Sequence, residues 1–189
     1  MHGHRFEAKH HKRLDSPYRR RILPPAATLK RFGLKKGMSV ADIGAGSGYF
    51  LFPAARIVGK GAAAYAVDAS KDMLEVIASK RPPSNVVLSH TKDGYRFNID
   101  SKSVDYVVAS AIVHENEPVK FLKEINRIMK KGATLLVIEW RKESTRSGPP
   151  MEERLAPEQV KEFLAKSKLK TVKTVVLNAR YYAVVAKKG

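Results

Sequence analysis

Apolar segments of two kinds alternate along most of this chain. Short segments that are apolar nearly throughout are each followed by a longer segment in which apolar residues recur with helical spacing. The clearest strand and helix pairs are "MSVADI" with "SGYFLFPAARIVG", "AAAYAVD" with "SKDMLEVIASK", and "VDYVVASAIV" with "EPVKFLKEINRIMKKG". Repeated strand–helix units of this kind build a parallel sheet with helices packed on its faces, so the sequence predicts an α/β fold.

Two segments near the C-terminus predict a different connection. "KTVKTVVLN" and "RYYAVVAKK" both have the character of strands, and only a short turn joins them. A crossover between parallel strands needs about a dozen residues or more. These two strands must therefore be antiparallel to each other, and they follow further strands at "NVVLSH" and "ATLLVIEW".

Composition limits the classes of protein to which the chain can belong. With 189 residues, 43% of them hydrophobic, it can bury one core without disulfide or metal support. The absence of cysteine excludes thiol nucleophiles, cysteine-bound zinc, iron–sulfur clusters and disulfides. The six histidines show no paired metal-ligand spacing, so we predict no metal site. The N-terminus is too charged for a signal peptide, and no apolar run reaches the roughly 20 residues of a membrane span, which predicts a cytoplasmic protein.

The chain carries a strong excess of positive charge. Thirty-six Lys and Arg residues against 18 Asp and Glu residues give a net charge of +18. Such a surface favours polyanionic partners, but the alternatives are a solvated basic surface or an acidic small substrate. The basic segments lack the interleaved aromatic residues of a base-stacking platform. A nucleic-acid partner is therefore left open but not favoured.

A glycine loop follows the first strand, in "VADIGAGSGYF". Gly44, Gly46 and Gly48 are spaced G-x-G-x-G, whereas a dinucleotide loop has G-x-G-x-x-G and a nucleotide triphosphatase loop ends in Lys followed by Ser or Thr. Tyr49 occupies the third position of the dinucleotide pattern. Both phosphate interpretations therefore lose support, although a loop between a strand and a helix still predicts close approach of a ligand to the backbone. The alternative is that the glycines only shape a tight turn.

Two acidic residues indicate the ligand. Asp42 stands just before the glycine loop, where a carboxylate repels a pyrophosphate but suits an ammonium group. Asp68 ends the second strand, where an acidic side chain accepts ribose hydroxyls; the alternative is that it caps the helix that starts near Ser70. A ligand with a ribose, a carboxylate and positive charge is expected, and S-adenosylmethionine has all three.

With these motifs the chain resembles the class I S-adenosylmethionine-dependent methyltransferases, and among them the small type-11 branch that includes ubiquinone and menaquinone methyltransferase relatives. The resemblance extends from Lys36 to about Glu143. It implies a Rossmann-like, seven-stranded, mostly parallel sheet with helices on both faces and an antiparallel last strand. Its five ordered matches are "VADIGAGSGYF", "AVDAS" with Met73, "TKDG", "VDYVVASAIVHE" and "IMKKGATLLVIEW".

The resemblance also implies positions for the cofactor. The methionine moiety is expected against the loop from Asp42 to Gly48, the ribose on Asp68, and the adenine between Met73 and the segment 92–95, with Asp93 at its amino group. Two alternatives stay open, since Met73 also suits the core and Asp93 an ordinary turn. The full set of predicted cofactor-binding residues is Asp42, Gly44, Ala45, Gly46, Gly48, Asp68, Ala69, Met73, Asp93, Gly94 and Ser110.

Catalytic residues are harder to predict, because the cofactor supplies the electrophile and a general base is optional. If a base is used, His114 and Glu115 after the fourth strand are the candidates; the alternative is that His114 packs at the strand end and Glu115 or Glu117 caps the next helix. The predicted function is methyl transfer to an unidentified, small-molecule acceptor. The alternatives are an RNA or protein methyltransferase and a non-catalytic protein that binds S-adenosylmethionine.

One domain of three parts is expected. Residues 1–36 form a basic N-terminal extension that is either a lid over the cofactor or a surface helix. Residues 37–143 form the cofactor-binding core, and residues 144–189 form a loop, a helix and the antiparallel hairpin. The resemblance implies that the extension and the loop "RKESTRSGPPMEERL" build the acceptor pocket. The oligomeric state does not follow from the sequence.

Overall fold

The computed structural model describes residues 15–143 and 148–189. Strands and helices alternate through its centre, as the apolar periodicity predicts. The strands are β1 (Val40–Ile43), β2 (Ala64–Asp68), β3 (Val86–His90), β4 (Val104–Ser110), β5 (Met129–Trp140), β6 (Leu169–Val176) and β7 (Tyr181–Lys188). The helices are α1 (Pro17–Ile22), α2 (Pro25–Arg31), α3 (Leu51–Val58), α4 (Lys71–Ser79), α5 (Pro118–Ile128) and α6 (Pro157–Lys166). None of the helices in these ranges is long and apolar enough to cross a membrane.

All seven strands belong to one sheet, in the order β3-β2-β1-β4-β5-β7-β6. Within the described ranges, β7 alone runs antiparallel to its neighbours β5 and β6. The predicted seven-stranded, mostly parallel sheet is thereby confirmed. Strand order reverses between β1 and β4, and open α/β sheets bind their ligands at such a point, beyond the carboxyl ends of the strands.

Helices cover both faces of the sheet, and each face buries its own apolar cluster. Successive side chains of a strand point to opposite faces. On β4, Tyr106 and Val108 therefore join the cluster under α3 and α4, while Val107 and Ala109 join the cluster under α5 and α6. The N-terminal helices α1 and α2 lie against the first cluster, into which Leu23 and Leu29 are buried.

Two of the differences between predicted and observed element boundaries have a clear structural cause. The helix α5 ends at Ile128, whereas helical spacing extended it to "MKKG"; Met129 instead pairs with Val104 and begins β5, so that pairing with β4 outweighs local helix propensity. Strand β4 ends at Ser110 rather than continuing to Val113. Ala111 has a φ of 55°, in the left-handed region, and its N–H donates to the carbonyl of Ile138 at 2.7 Å, which turns the chain out of the sheet.

The irregular segment between β3 and β4 is held in place by α5. Glu124 of α5 is buried, and its Oε1 accepts a hydrogen bond from the N–H of Phe97 at 2.7 Å. The same carboxylate binds Arg127, whose guanidinium donates to the carbonyls of Phe97 and Ile99 at 3.1 and 2.9 Å. This ion pair thus supplies the hydrogen bonds that hold the backbone of the irregular segment between β3 and β4.

Replacing Glu124 by Ala leaves the N–H of Phe97 without its acceptor and Arg127 without its carboxylate. We expect the free energy of unfolding to fall by about 2 kcal/mol or more, because a buried donor loses its partner. Denaturant unfolding measures this, with Lys123→Ala on the exposed side of the same helix as control. A Glu124→Ala variant as stable as the control would contradict the role of this ion pair.

Candidate active site

A cavity of about 850 Å³ opens beyond the carboxyl ends of β1, β2 and β4. Its floor is formed by the glycine loop after β1, by the end of β2 and by the turn after β4. Of the eleven residues predicted to bind the cofactor, nine line the cavity and two, Gly48 and Asp93, do not. The nine are Asp42, Gly44, Ala45, Gly46, Asp68, Ala69, Met73, Gly94 and Ser110.

The glycine loop needs glycine for steric reasons at two of its positions. Gly44, Gly46 and Gly48 have φ values of 73°, 52° and 85°, a region that other residues rarely adopt. A Cβ atom on Gly44 would lie 2.7 Å from the side chain of Ile112, and one on Gly48 would lie 2.4 Å from the ring of Phe52. Gly48 therefore serves the packing of the loop, whereas Gly44 and Gly46 also face the cavity.

The carboxylate of Asp68 joins the glycine loop to the start of α4. Its Oδ2 accepts a hydrogen bond from the N–H of Gly46 at 2.8 Å, and its Oδ1 accepts one from the N–H of Ser70 at 2.9 Å. The N-cap of α4 is Ser70 itself, whose hydroxyl accepts from the N–H of Met73 at 3.3 Å. A carboxylate accepts about four hydrogen bonds, so these contacts are compatible with ribose hydroxyls as further donors.

Asp42 is a buried carboxyl group on the cavity wall. Burial raises its pKa from 3.8 to about 7; the backbone amide of Leu51 and the charge of Arg19 act against this rise, and the nearby Asp68 carboxylate adds to it. An ammonium group in the cavity would stabilise the ionised form and lower this pKa. The site thus suits a ligand that brings a cation.

One buried hydroxyl group at the end of β4 points to a ligand. The Oγ atom of Ser110 is buried, and no described residue forms a hydrogen bond with it. Since buried polar groups are nearly always hydrogen-bonded and Ser110 lines the cavity, this hydroxyl group is placed to bond a ligand there. This observation, the two glycines at the cavity surface and the Asp68 carboxylate fit a bound S-adenosyl compound.

The adenine end of the predicted site is only partly assembled. Gly94 lines the cavity, and its N–H donates to the hydroxyl of Thr91 at 3.1 Å. Asp93 is exposed outside the cavity lining, where its Oδ1 accepts from the N–H groups of Tyr95 and Arg96 at 2.9 and 3.2 Å. The Tyr95 amide in particular lowers the pKa of this carboxyl group. Asp93 therefore has the geometry of a turn residue, and its contact with adenine stays a prediction.

His114 and Glu115 lie in a 3₁₀ turn at the cavity wall, where both line it. His114 forms a hydrogen bond through Nδ1 with Oε2 of Glu139 on β5, at 2.8 Å, and both side chains are buried. Burial lowers the pKa of His114, but the carboxylates of Glu139, Glu115 and Glu153 outweigh it and raise the pKa above its ordinary value. Of the two glutamates considered as caps of the next helix, Glu117 is the N-cap of α5. Sequence reasoning missed Glu139, because nothing in a buried strand indicates which turn its side chain meets.

The comparisons with known proteins agree with this geometry. Residues 41–137, more than half of the chain, match the family described as methyltransferase domain. The chain belongs to the class I S-adenosylmethionine-dependent methyltransferases, of the type-11 kind. The predicted family resemblance is thereby confirmed.

Several known proteins are similar to this chain in sequence or in fold. A demethylmenaquinone methyltransferase of Geobacillus sp. (strain WCH70) is 31% identical over 146 residues, which are 72% of this chain and 61% of that protein, so the chain spans less than two thirds of this curated relative. A crystal structure of a SAM-dependent methyltransferase from Aquifex aeolicus is 31% identical with a TM-score of 0.90, over 96% of this chain and 98% of that one. Phosphoethanolamine N-methyltransferase 2 of Haemonchus contortus, in complex with S-adenosyl-L-methionine, is 20% identical with a TM-score of 0.70, over 87% and 52% of the two chains, and shows the fold alone.

The outer wall of the methyltransferase cavity is aromatic and basic. Trp140 at the end of β5 and Tyr181 at the start of β7 line it, with ring centroids 4.6 Å apart. Tyr18 and Arg19 of α1 line it from the N-terminal side, and the guanidinium of Arg19 lies 4.1 Å from the ring centroid of Tyr49. Part of the basic extension thus faces the cavity. Residues 1–14 of the extension and residues 144–147 of the predicted acceptor loop lie outside the described residues.

The raised pKa of Asp42 makes the stability of the ligand-free protein depend on pH. Between about pH 4 and pH 7 the unfolded chain loses a proton that the folded chain keeps, so stability falls as pH rises through this range. In an Asp42→Asn variant this contribution disappears. We expect the stability of the variant relative to the parent chain to be about 3 kcal/mol more favourable at pH 8 than at pH 4. Denaturant unfolding of both proteins at pH 4, 6 and 8 tests this. A constant difference between the two proteins across that range would show that Asp42 keeps an ordinary pKa.

Proposed function

We propose that this protein transfers a methyl group from S-adenosylmethionine to a small-molecule acceptor. The observation that carries the proposal is the convergence of Asp42, the glycine loop, Asp68 and Ser110 on one cavity at the switch point of the sheet. A dinucleotide-binding site would not place a buried carboxyl group where the pyrophosphate lies. The family of the chain and the cofactor named for its relatives support the same donor.

The cofactor is assigned to this chain by the chemistry of each lining group. The ammonium of its methionine part suits the Asp42 carboxylate, because that positive charge lowers the raised pKa of Asp42 and stabilises its ionised form. The loop backbone around Gly44 allows close approach, and Asp68 offers acceptors for the ribose. Ser110 supplies a buried hydroxyl group beside the reacting end of the site. Met73 and Ala69 add apolar surface for the adenine.

When bound, S-adenosylmethionine supplies an electrophilic methyl group whose bond to sulfur breaks with the electron pair retained on sulfur. The residues of the chain align the acceptor and exclude water. We assign proton removal to His114, which lines the cavity: as the acceptor atom bonds to the methyl carbon, its proton passes to this imidazole. Glu115 lies beside His114 and adds negative charge that favours the protonated imidazole after transfer.

The acceptor is proposed to be a flat molecule with an O–H or N–H group. Trp140, Tyr181 and Pro150 line the cavity and supply apolar surface, which suits a ring system. Relatives named as demethylmenaquinone methyltransferases support a small aromatic acceptor. The competing proposal is an RNA acceptor, for which Arg19, Arg20 and Arg21 of α1 supply positive charge near the cavity.

Binding of S-adenosylhomocysteine tests the cofactor. We expect micromolar affinity in calorimetric titration, no binding of NAD, and an affinity reduced about 10- to 100-fold in Asp68→Asn, because the ribose loses one ionised acceptor. Asp72→Asn, an exposed neighbour in the first turn of α4, is the matched control. Heat on addition of NAD, or equal affinity in Asp68→Asn and in the control, would refute the assigned site.

Transfer of labelled methyl from S-adenosylmethionine tests the acceptor. Two probes are compared, 1,4-dihydroxynaphthalene as a small aromatic diol and transfer RNA as a polyanion. We expect label in the organic extract of the first reaction, reduced about 100-fold in His114→Gln, since general bases contribute about this factor. Label in the RNA alone, suppressed by salt, would replace the small-molecule proposal by the nucleic-acid one.

A further inference from the structure

Glu139 is a buried acidic residue, the second-to-last residue of strand β5, at the end of the sheet where the cavity lies. Its side chain is 1% exposed, and a carboxylate is rarely buried to this degree without charged or polar partners. Its Oε1 accepts from the N–H of Val113 at 2.9 Å, and its Oε2 lies 2.8 Å from Nδ1 of His114. Both partners are in the turn after β4, so Glu139 is bound to the turn that carries the candidate base.

This hydrogen bond determines which nitrogen of His114 carries the proton. A carboxylate only accepts hydrogen bonds, so Nδ1 must donate to Glu139, and in the neutral ring Nε2 is then the acceptor atom. No described residue forms a hydrogen bond with Nε2. His114 lines the cavity and Glu139 does not. The lone pair of Nε2 is thus left for a group in the cavity.

We infer that Glu139 is a positioning residue that holds His114 in the Nδ1–H tautomer and in the orientation in which Nε2 accepts the acceptor's proton. The inference rests on the proposed methyl transfer and adds a residue to its machinery. In the reaction the proton moves from the acceptor's O–H or N–H to Nε2, and the resulting imidazolium is stabilised by the Glu139 carboxylate at Nδ1. The proton leaves to solvent after product release, which restores the neutral ring.

The charges that face His114 all favour this role. Glu139 approaches from β5, Glu115 from the same 3₁₀ turn, and Glu153 from the 3₁₀ turn Met151–Glu153 within the acceptor loop. Together they raise the pKa of the imidazole. Tyr182 of β7 lies close to Glu139, but its hydroxyl donates to the carbonyl of Leu155 at 2.8 Å. His114 is a stronger base than a free imidazole, and it acts as one only above its raised pKa.

A purely structural role for Glu139 makes a different prediction from a positioning role. If Glu139 only anchors the turn through the N–H of Val113, glutamine serves as well, because its amide oxygen also accepts that hydrogen bond. In the positioning role glutamine fails, because its amide then donates to Nδ1 and moves the ring proton to Nε2. Glu139→Gln therefore separates the two roles while the fold is kept.

The first measurement is ¹⁵N NMR of histidine-labelled protein, with His114 assigned by the loss of its signals in His114→Gln. We expect the Nδ1–H tautomer and a pKa above 6.5 in the parent chain. In Glu139→Gln we expect the Nε2–H tautomer and a pKa lower by about one unit or more. An Nε2–H tautomer in the parent chain, or no change in the variant, would overturn the inference.

The second measurement is the pH profile of methyl transfer to the acceptor probe of the preceding subsection. We expect kcat of Glu139→Gln to fall about 100-fold, with its acidic limb shifted to lower pH and with unchanged affinity for S-adenosylhomocysteine. Glu162→Gln, at a 59% exposed side chain on α6 that does not line the cavity, should keep the parent profile. An unchanged kcat in Glu139→Gln would overturn the positioning role of Glu139 but leave the proposed methyl transfer intact. Absence of S-adenosylhomocysteine binding by the parent chain would instead refute the proposed function, whatever the tautomer.

Discussion

Two carboxyl groups on neighbouring parallel strands set the electrostatics of the cavity. Asp42 on β1 and Asp68 at the end of β2 lie close enough for the charge of one to raise the pKa of the other. Asp68 keeps hydrogen bonds to the N–H groups of Gly46 and Ser70, whereas Asp42 is buried and has its pKa raised to about 7. Asp68 thus holds the glycine loop in place, whereas a positive charge in the cavity would stabilise the ionised form of Asp42. The glycine loop depends on this pair through Asp68, and the electrostatics of the cavity wall depend on it through Asp42.

The side of the cavity that carries the candidate base His114 is organised by a turn rather than by a helix or strand. Ala111 adopts a left-handed conformation, and its N–H is bonded to the neighbouring strand β5. Non-glycine residues in this region cost on the order of 1 kcal/mol, and they persist where the surroundings hold them. The turn brings Ile112 against Gly44 and His114 against Glu139. The glycine loop and the candidate base are therefore coupled through two adjacent residues of one turn.

Local patterns were sufficient for the succession of strands and helices along the chain, and nine of the eleven residues predicted to bind the cofactor line one cavity. The glycine loop, Asp42, Asp68 and Ser110 were predicted from motifs that each stand at the end of one strand, and parallel strands bring such ends to one edge of the sheet. Boundaries that depend on a partner strand were wrong, as at Met129, where pairing with Val104 ends the helix early. Asp93 was assigned from a short motif, but in the fold the backbone amides of Tyr95 and Arg96 engage its carboxylate outside the cavity lining.

The sequence by itself determined the alternation of strands and helices, the antiparallel hairpin and the glycine loop, because each depends on periodicity or on residues close together in the chain. Only the tertiary structure decided which side chains meet across the sheet. Glu139 joins His114 from another strand, and Trp140 joins Tyr181 from β7, a strand that is distant in sequence. Such contacts follow from strand register, which is a property of the whole sheet and leaves no pattern in either segment alone.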